Sequence, residues 1–307
     1  MTWRWINLAA AAATLAFLVW RLGTGPFLDG LRAVDAWALA AASGLAVLTT
    51  ICSAWRWQIV ARGLGVELPL GGAVAAYYRS LFLNLTLPGG VVGDVHRGIA
   101  NGRDTSDVGR GLRGVALERS AGQVVQVVLT VAVLLVLPSP VHAVMPLVAL
   151  ALIAAAACVA VAARMRPPAG RSRWARLRGA VARDLRDGLL ARCAWPAIAV
   201  ASALVVAGHA ATFLIAARSA GVTAPTSELL PLALLVIQAA ALPNIGGWGP
   251  REGVTAWAFA AAGLGASLGL ATAVAYGVMV FVASLPGAAV LLGGLAVPAR
   301  LEGAPDG

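Results

Sequence analysis

Two interrupted apolar segments carry charged residues of the types that bind anions. Residues 87–97 read Leu-Pro-Gly-Gly-Val-Val-Gly-Asp-Val-His-Arg, and residues 242–252 read Leu-Pro-Asn-Ile-Gly-Gly-Trp-Gly-Pro-Arg-Glu. Each runs through Leu-Pro and a glycine cluster to an arginine near a carboxylate. Arginine suits bidentate phosphate binding, and a helix that restarts after an interruption points free N–H groups toward an anion. The pattern predicts an anion site formed by both interruptions, with one arginine from each.

Several charges lie in or beside apolar sequence, where an ionisable residue costs at least a few kcal/mol and is a functional-site hypothesis by default. These candidates are Asp94, Arg97, Glu118, Arg119, Arg251 and Glu252. A second interpretation stays open at this point. The pairs Arg97–Asp94 and Arg251–Glu252 could be local ion pairs that only lock the turns.

The composition places these residues in a membrane protein. The chain is 60% hydrophobic and 12% charged, whereas a soluble domain carries roughly 25% charged residues. Long Ala/Leu/Val runs approach the ~20 residues that a membrane helix needs. The net charge of +10 does not indicate nucleic acid, because nine arginines fall within 164–192. A basic loop of this kind is typical of the cytoplasmic side.

The predicted fold is all-α and polytopic, in a single membrane domain. It consists of a first half, 1–163, the cytoplasmic loop 164–192, a second half, 193–297, and a short tail, 298–307. Six full spans are predicted at about 5–22, 36–60, 114–137, 141–163, 194–217 and 267–297. The loops 23–35 and 98–113 are predicted to be outside and inside, respectively, and both termini cytoplasmic.

This count makes each interrupted segment begin and end on one side of the membrane. Segments 71–93 and 229–264 are therefore predicted to be re-entrant hairpins that enter from opposite faces, the geometry of an inverted repeat. The alternative, in which each is a kinked full span, stays open.

Other residues indicate packing roles. Three scattered histidines and three cysteines give no metal-ligand spacing, and no metal or cofactor is predicted. His209 is expected to pack between helices and bond a backbone carbonyl. Polar residues in spans usually bond between helices, and aromatic residues mark the membrane interface. The first group comprises Asn84, Gln123, Gln126 and Gln238; the second includes Trp55, Trp57, Tyr77 and Tyr78.

Two motifs resemble those of the lysylphosphatidylglycerol synthase transmembrane region family, also called flippase-like or UPF0104. The first motif is matched at Phe82, Asn84, Pro88, Gly89, Gly93, Asp94 and Arg97, followed by Glu118-Arg119. The second is matched at Leu242, Pro243, Gly246, Gly247, Gly249, Arg251 and Glu252. The chain departs from the family pattern at Val92, where a second glycine is common.

The resemblance implies a lipid flippase or transporter of the cytoplasmic membrane, with an anionic phospholipid or lipid-linked phosphate as partner. A phosphate would lie between Arg97 and Arg251, and the other candidates would shape the pocket. The implied substrate-binding set is Asn84, Pro88, Gly89, Gly93, Asp94, Arg97, Glu118, Arg119, Gly246, Gly247, Arg251 and Glu252. The soluble aminoacyltransferase domain of bifunctional relatives is not expected here.

Two other functions remain open from the sequence. An intramembrane lipid-headgroup or glycosyl transferase would use Asp94, His96 or Glu118 for acid–base chemistry. A non-catalytic partner of a lipid-modifying enzyme would dock through loop 164–192.

Overall fold

The protein is helical wherever its structure is described. The computed structural model describes residues 16–87, 89–104, 107–164, 194–242, 244 and 248–296. Over these ranges the chain forms helices joined by short turns, with no β-strand. The all-α prediction is confirmed. Most of loop 164–192, the tail 298–307, Pro88, Gly246 and Gly247 lie outside the described residues.

The helices are numbered here in chain order. The first half contains α1 (16–22), α2 (Gly25–Arg32), α3 (Ala36–Gly63), α4 (Leu70–Thr86), α5 (Val92–Asp104), α6 (Val108–Val136) and, after a 3₁₀ turn, α7 (Met145–Arg164). The second half contains α8 (Trp195–Ser219), α9 (Thr226–Ala239), α10 (Pro250–Ala261), α11 (Ala266–Ser284) and α12 (Pro286–Ala296).

Among the described residues, four stretches are long and apolar enough to cross a membrane. They are Ala36–Gly63, Val108–Val136, Trp195–Ser219 and Ala266–Gly293. At 1.5 Å per residue each exceeds the ~30 Å hydrocarbon layer. The protein is therefore a multi-pass membrane protein, and four of the predicted spans have helices of sufficient length. Of the other two, 141–163 corresponds to α7 and 5–22 is described only in α1.

Two predicted loops contain more helix than expected. Segment 23–35 includes α2, which packs on α11 where Gly30 lies against the Ala271 carbonyl. Segment 98–113 is mostly helical, because α5 continues to Asp104 and α6 begins at Val108. Both helices can extend into this segment because Gly98, Gly102 and Gly111 lie where α5 and α6 cross. These glycines let the two backbones approach closely.

Each interrupted segment is a pair of short helices that pack on each other, α4 with α5 and α9 with α10. α5 has 13 residues, α9 has 14 and α10 has 12. Helices of 12–14 residues are ~20 Å long, which is less than the ~30 Å hydrocarbon thickness. None of these three helices is long enough to cross the bilayer alone.

Helix α4 is held between two neighbours through glycine. Gly93 of α5 lies against the Ser80 carbonyl, and Gly287 of α12 lies against the Tyr78 carbonyl. A side chain at either glycine would overlap backbone atoms of α4. Small residues at such crossings allow membrane helices to pack closely, and here they fix α4 beside the first interruption.

The largest apolar cluster lies in the second half. Phe213 of α8, Phe259 of α10 and Tyr276 of α11 meet at its centre. The Phe213 ring centroid is 6.3 Å from that of Phe259 and 5.8 Å from that of Tyr276, within the usual range for paired aromatic rings. This cluster positions α10, the helix that carries Arg251.

Candidate functional site

Glu118 of α6 is the centre of a buried charge network. Its Oε1 accepts hydrogen bonds from Arg56 Nε at 2.8 Å and from the Tyr77 hydroxyl at 2.8 Å. Its Oε2 accepts from Arg97 Nη2 at 3.1 Å. Glu118 is fully buried, so this carboxylate joins α3, α4 and α5 to α6 out of contact with solvent.

Asp94, in the first turn of α5, is the second carboxylate of the network. It accepts from Ser80 at 3.1 Å and from Asn84 at 2.9 Å, both on α4. It also pairs with Arg97 Nη2 at 3.0 Å and with Arg119, whose Nε lies 2.9 Å away. Asp94 therefore ties the restart of α5 to α4 and α6.

Arg97 is enclosed by aromatic rings as well as by carboxylates. Its guanidinium carbon lies 4.4 Å from the ring centroid of Trp57 and 4.1 Å from that of Tyr77. Such contacts stabilise a desolvated cation by up to about 2 kcal/mol. Arg97 is 1% exposed, and its Nε and Nη1 make no hydrogen bond. The Arg97 guanidinium is thus buried in the protein interior.

The network carries an excess of positive charge. Three arginines, Arg56, Arg97 and Arg119, face two carboxylates, Asp94 and Glu118. With all five groups ionised, the network has one positive charge left over. In a low-dielectric environment an uncompensated charge is costly, so the network favours an anion nearby.

The second interruption repeats this arrangement. Glu252 of α10 is fully buried and accepts from the Gly249 backbone N–H at 2.6 Å and from Arg251 Nε at 2.9 Å. The Arg251 guanidinium lies 5.4 Å from the Trp248 ring and 5.3 Å from the Tyr276 ring. Each half therefore contains a buried arginine paired with a carboxylate and in contact with one tryptophan and one tyrosine.

The carboxylates also occupy equivalent positions in the two restarting helices. Asp94 is the third residue of α5, and Glu252 is the third residue of α10. A negative charge in the first turn stabilises a helix through its dipole. Pro250 begins α10, where a proline removes no hydrogen bond that the helix needs. The two interruptions thus use similar local chemistry to restart a helix.

A cavity of about 750 Å³ separates the two interruptions. Gly89 and Gly90 line it from the first interruption, and Leu242 and Asn244 line it from the second. Its charged lining residues, among those that the structure describes, are Arg56, Asp94 and Arg119. The Arg119 side chain is 49% exposed, so its guanidinium is accessible from the cavity.

The interruptions also touch each other at one edge of the cavity. The Gly89 backbone N–H donates to the Asn244 carbonyl at 3.1 Å. Gly89 and Gly90 have φ values of 106° and 65°, conformations that residues other than glycine rarely adopt. The predicted glycine turn is therefore a direct contact between the two halves of the chain.

A polar stripe on α6 continues from Arg119 along the cavity wall. Gln123 and Gln126 lie one and two turns further on, on the same face of the helix. Their amide groups donate to Gln238 Oε1 on α9 at 2.8 and 3.1 Å. Gln238 in turn donates to Thr130 at 3.0 Å. The predicted interhelical role of these glutamines is confirmed.

The structure brings together most of the candidates in the first half of the chain. They are Asn84, Gly93, Asp94, Arg97, Glu118 and Arg119, which are linked by hydrogen bonds. Gly93 joins this set because its N–H donates to Asn84 at 2.7 Å. Arg251 and Glu252 form a separate pair on α10. Neither Arg97 nor Arg251 lines the 750 Å³ cavity. Both ion pairs of the alternative interpretation, Arg97–Asp94 and Arg251–Glu252, are present.

Sequence reasoning missed several members of the site. Arg56 is not among the candidates from the sequence, and Trp57 and Tyr77 are assigned there to the membrane interface. That assignment is wrong, since Trp57 is 1% exposed and Tyr77 is 6% exposed. Arg56 lies inside a long apolar span and bonds Ser202 of α8 at 2.9 Å. Because an arginine within an apolar span is a functional-site candidate by default, this position alone could have identified Arg56 as a member of the site.

The described residues contain no group of three or more metal-ligating side chains. The sequence profile of the family described as the lysylphosphatidylglycerol synthase TM region matches residues 4–287. Comparison with curated proteins gives no match.

Proposed function

The chain belongs to the family of the lysylphosphatidylglycerol synthase TM region, and on that premise we propose that it is a lipid flippase. It moves an anionic phospholipid or a lipid-linked phosphate across the cytoplasmic membrane. The observation that carries the proposal is the cavity between the two interruptions, with Arg56 and Arg119 in its wall.

The size of the cavity fits a lipid headgroup. Its volume of about 750 Å³ lies within the ~300–1,000 Å³ range of small-molecule sites. Apolar side chains such as Leu81, Val115 and Val206 form much of the remaining wall. A headgroup occupies this space while its acyl chains stay in lipid.

Arg119 is the residue that binds the phosphate directly. Its side chain is half exposed and, among the described residues, has Asp94 as its one carboxylate partner, so donors of its guanidinium remain available. Arg97 and Arg251 are bonded to carboxylates and, unlike Arg56 and Arg119, do not line the cavity, which supports a positioning role for them. We therefore assign phosphate binding to Arg119 and Arg56, which line the cavity, instead of to Arg97 and Arg251.

The two helix pairs are re-entrant hairpins that enter from opposite membrane faces and meet at the cavity. The short lengths of α5, α9 and α10 and the Gly89–Asn244 contact support this arrangement. Transport-type sites occur where interrupted helices of two repeats converge. The two interruptions separate first on one side of the membrane and then on the other. The cavity, and the headgroup in it, is thereby open to each side in turn.

The network favours binding over acid–base catalysis. Asp94 and Glu118 each accept hydrogen bonds from two arginines and from at least one neutral donor. Carboxylates held in this way orient their cationic partners. A transferase function has no comparable support from these contacts.

Replacing Arg119 with glutamine tests the proposal. Reconstituted in vesicles with trace fluorescent phosphatidylglycerol, Arg119→Gln is expected to move the lipid about 10- to 100-fold more slowly than the original protein. The reason is the loss of a charge-assisted hydrogen bond worth about 1.5–3 kcal/mol. Translocation is measured by chemical quenching of the probe in the outer leaflet.

Arg110→Gln is the matched control. Arg110 lies on the same helix, and its side chain is 44% exposed in an ion pair with Asp107, away from the cavity lining. We expect its rate to equal that of the original protein. Equal rates in Arg119→Gln and Arg110→Gln, with both variants folded, would contradict the assignment of Arg119. A fluorescent glycolipid without phosphate should move slowly with all three proteins.

A further inference from the structure

His209 lies in the wall between two cavities. It is on α8, a long apolar span, and it lines the 750 Å³ cavity on one side. It also lines a second cavity of about 50 Å³. Among the described residues only Leu81 shares this position in both linings. A histidine within a membrane span is a functional-site candidate, since such residues form proton relays in pumps and transporters.

The hydrogen bond of His209 differs from the one expected from the sequence. Its Nδ1 lies 3.4 Å from the hydroxyl of Tyr276 on α11, whereas a backbone carbonyl was expected. The Tyr276 ring in turn contacts the Arg251 guanidinium. His209 therefore connects the 750 Å³ cavity, through Tyr276, with the buried Arg251–Glu252 ion pair.

The second cavity places hydroxyl-bearing residues beside His209. Its lining includes the hydroxyls of Thr49, Thr50, Thr212 and Ser284. A volume of about 50 Å³ exceeds the ~10–15 Å³ that one water molecule needs. Water and hydroxyl groups can pass a proton to a histidine, and His209 has hydroxyl-bearing residues on this side and the charged residues of the larger cavity on the other.

The charged residues that share the 750 Å³ cavity with His209 are mostly positive. Arg56 comes from α3 and Arg119 from α6, while Asp94 of α5, the one carboxylate among the described lining residues, is already paired with two arginines. The titratable groups Tyr77 and Tyr276 are uncharged at neutral pH. From α4 the neighbours are Leu81 and Leu85.

An anion in the cavity changes this balance. Positive neighbours oppose a charged imidazole, and a phosphate beside Arg56 and Arg119 cancels part of their field. Binding of the headgroup then favours protonation of His209, and release of the headgroup favours loss of the proton. Headgroup and proton thus stabilise each other in the same state, which is the requirement for coupled transport.

We propose that His209 couples lipid movement to protons, so that one proton crosses the membrane with each anionic headgroup. His209 takes the proton from the side to which the cavity opens and gives it up on the other side. This inference rests on the proposed flippase function. A singly charged phosphodiester and one proton together carry no net charge, so the coupled step is electroneutral.

The test uses the whole chain in phosphatidylcholine vesicles with trace fluorescent phosphatidylglycerol. A pH gradient or a potassium-diffusion potential is imposed separately, and the distribution of the probe between leaflets is measured at steady state. With one proton per lipid, the probe should accumulate in the leaflet on the alkaline side, by up to about tenfold per pH unit. The membrane potential should have little effect.

His209→Gln keeps a polar side chain but cannot take up a proton. In this variant the leaflet ratio should fall to about one under a pH gradient. Tyr276→Phe, which removes the hydroxyl partner, should reduce the ratio in part. His142→Gln is the matched control, because His142 lies in the turn before α7 and bonds the Leu134 carbonyl; its ratio should match the original protein.

A second measurement does not depend on any variant. A pH-sensitive dye inside the vesicles should report proton movement when a phosphatidylglycerol gradient alone drives transport. A probe distribution that follows voltage and ignores pH would overturn the inference while leaving the flippase proposal intact. An unchanged pH response in folded His209→Gln would also overturn it. If the original protein moves no lipid, both proposals fail.

Discussion

Glu118→Gln is expected to destabilise the protein more than any exposed charge substitution. Glu118 is the shared partner of Arg56 and Arg97, and all three side chains are at least 93% buried. Removing one partner from a buried ion pair typically costs about 3–5 kcal/mol, because the remaining charge is left uncompensated. In this network the excess would rise from one positive charge to two.

The expected change can be measured as a drop in the thermal unfolding midpoint in detergent. Asp107→Asn is the control, since it removes a carboxylate whose ion pair with Arg110 is exposed. Exposed pairs contribute about 0–1 kcal/mol. A midpoint for Glu118→Gln within error of that for Asp107→Asn would contradict the assignment of Glu118 as the centre of the network.

A double variant separates charge from shape. Arg97→Gln restores the original net charge when it is combined with Glu118→Gln. The double variant should therefore be more stable than the sum of the two single losses predicts, by the coupling expected for residues in direct contact. Strict additivity would show that Arg97 and Glu118 do not stabilise each other.

Gly93→Ala is the second substitution with a large expected effect. A methyl group at this position would overlap the backbone carbonyl of Ser80, and backbone cannot move aside as a flexible side chain can. Overpacking of this kind costs about 1–3 kcal/mol, occasionally more. The variant should lose thermal stability and also lipid translocation, because the shift of α5 moves Asp94 away from Arg119.

Gly44→Ala is its matched control. Gly44 lies within α3 with nothing inside 4 Å of the added methyl group. Alanine is favoured over glycine in a helix by up to about 1 kcal/mol, so stability should stay the same or rise. If Gly93→Ala behaves like Gly44→Ala, the close packing of α5 on α4 is not required for the fold.

Several features could be read from the chain because they depend on local composition. The length of an apolar run predicts a membrane helix, and four such helices are present. Proline and glycine predict where a helix ends and restarts, and both interruptions separate pairs of short helices. A charge in an apolar stretch indicates a candidate site, and the charges expected on that basis, Asp94, Glu118 and Arg251, are all buried in ion pairs.

Pairing across the fold could not be read in this way. Arg56 and Glu118 are 62 positions apart and share a hydrogen bond, yet neither position specifies the other. The same limit applies to Trp57 and Tyr77, whose aromatic character fits a membrane interface as well as a buried cation site. Their true role depends on which face of α3 and α4 turns toward α5.

The sequence alone therefore determined the class of protein, the two interruptions and the charged residues beside them. Only the tertiary structure decided which arginines line the cavity, namely Arg56 and Arg119. Sequence spacing placed Arg97 and Arg251 at equivalent points of two motifs, and it left Arg119 as a neighbour of Glu118. Packing buried the first two against aromatic rings and carboxylates and left Arg119 half exposed. The physical reason is that burial depends on contacts between distant segments, whereas helix formation, chain breaks and hydrophobicity depend on neighbouring residues.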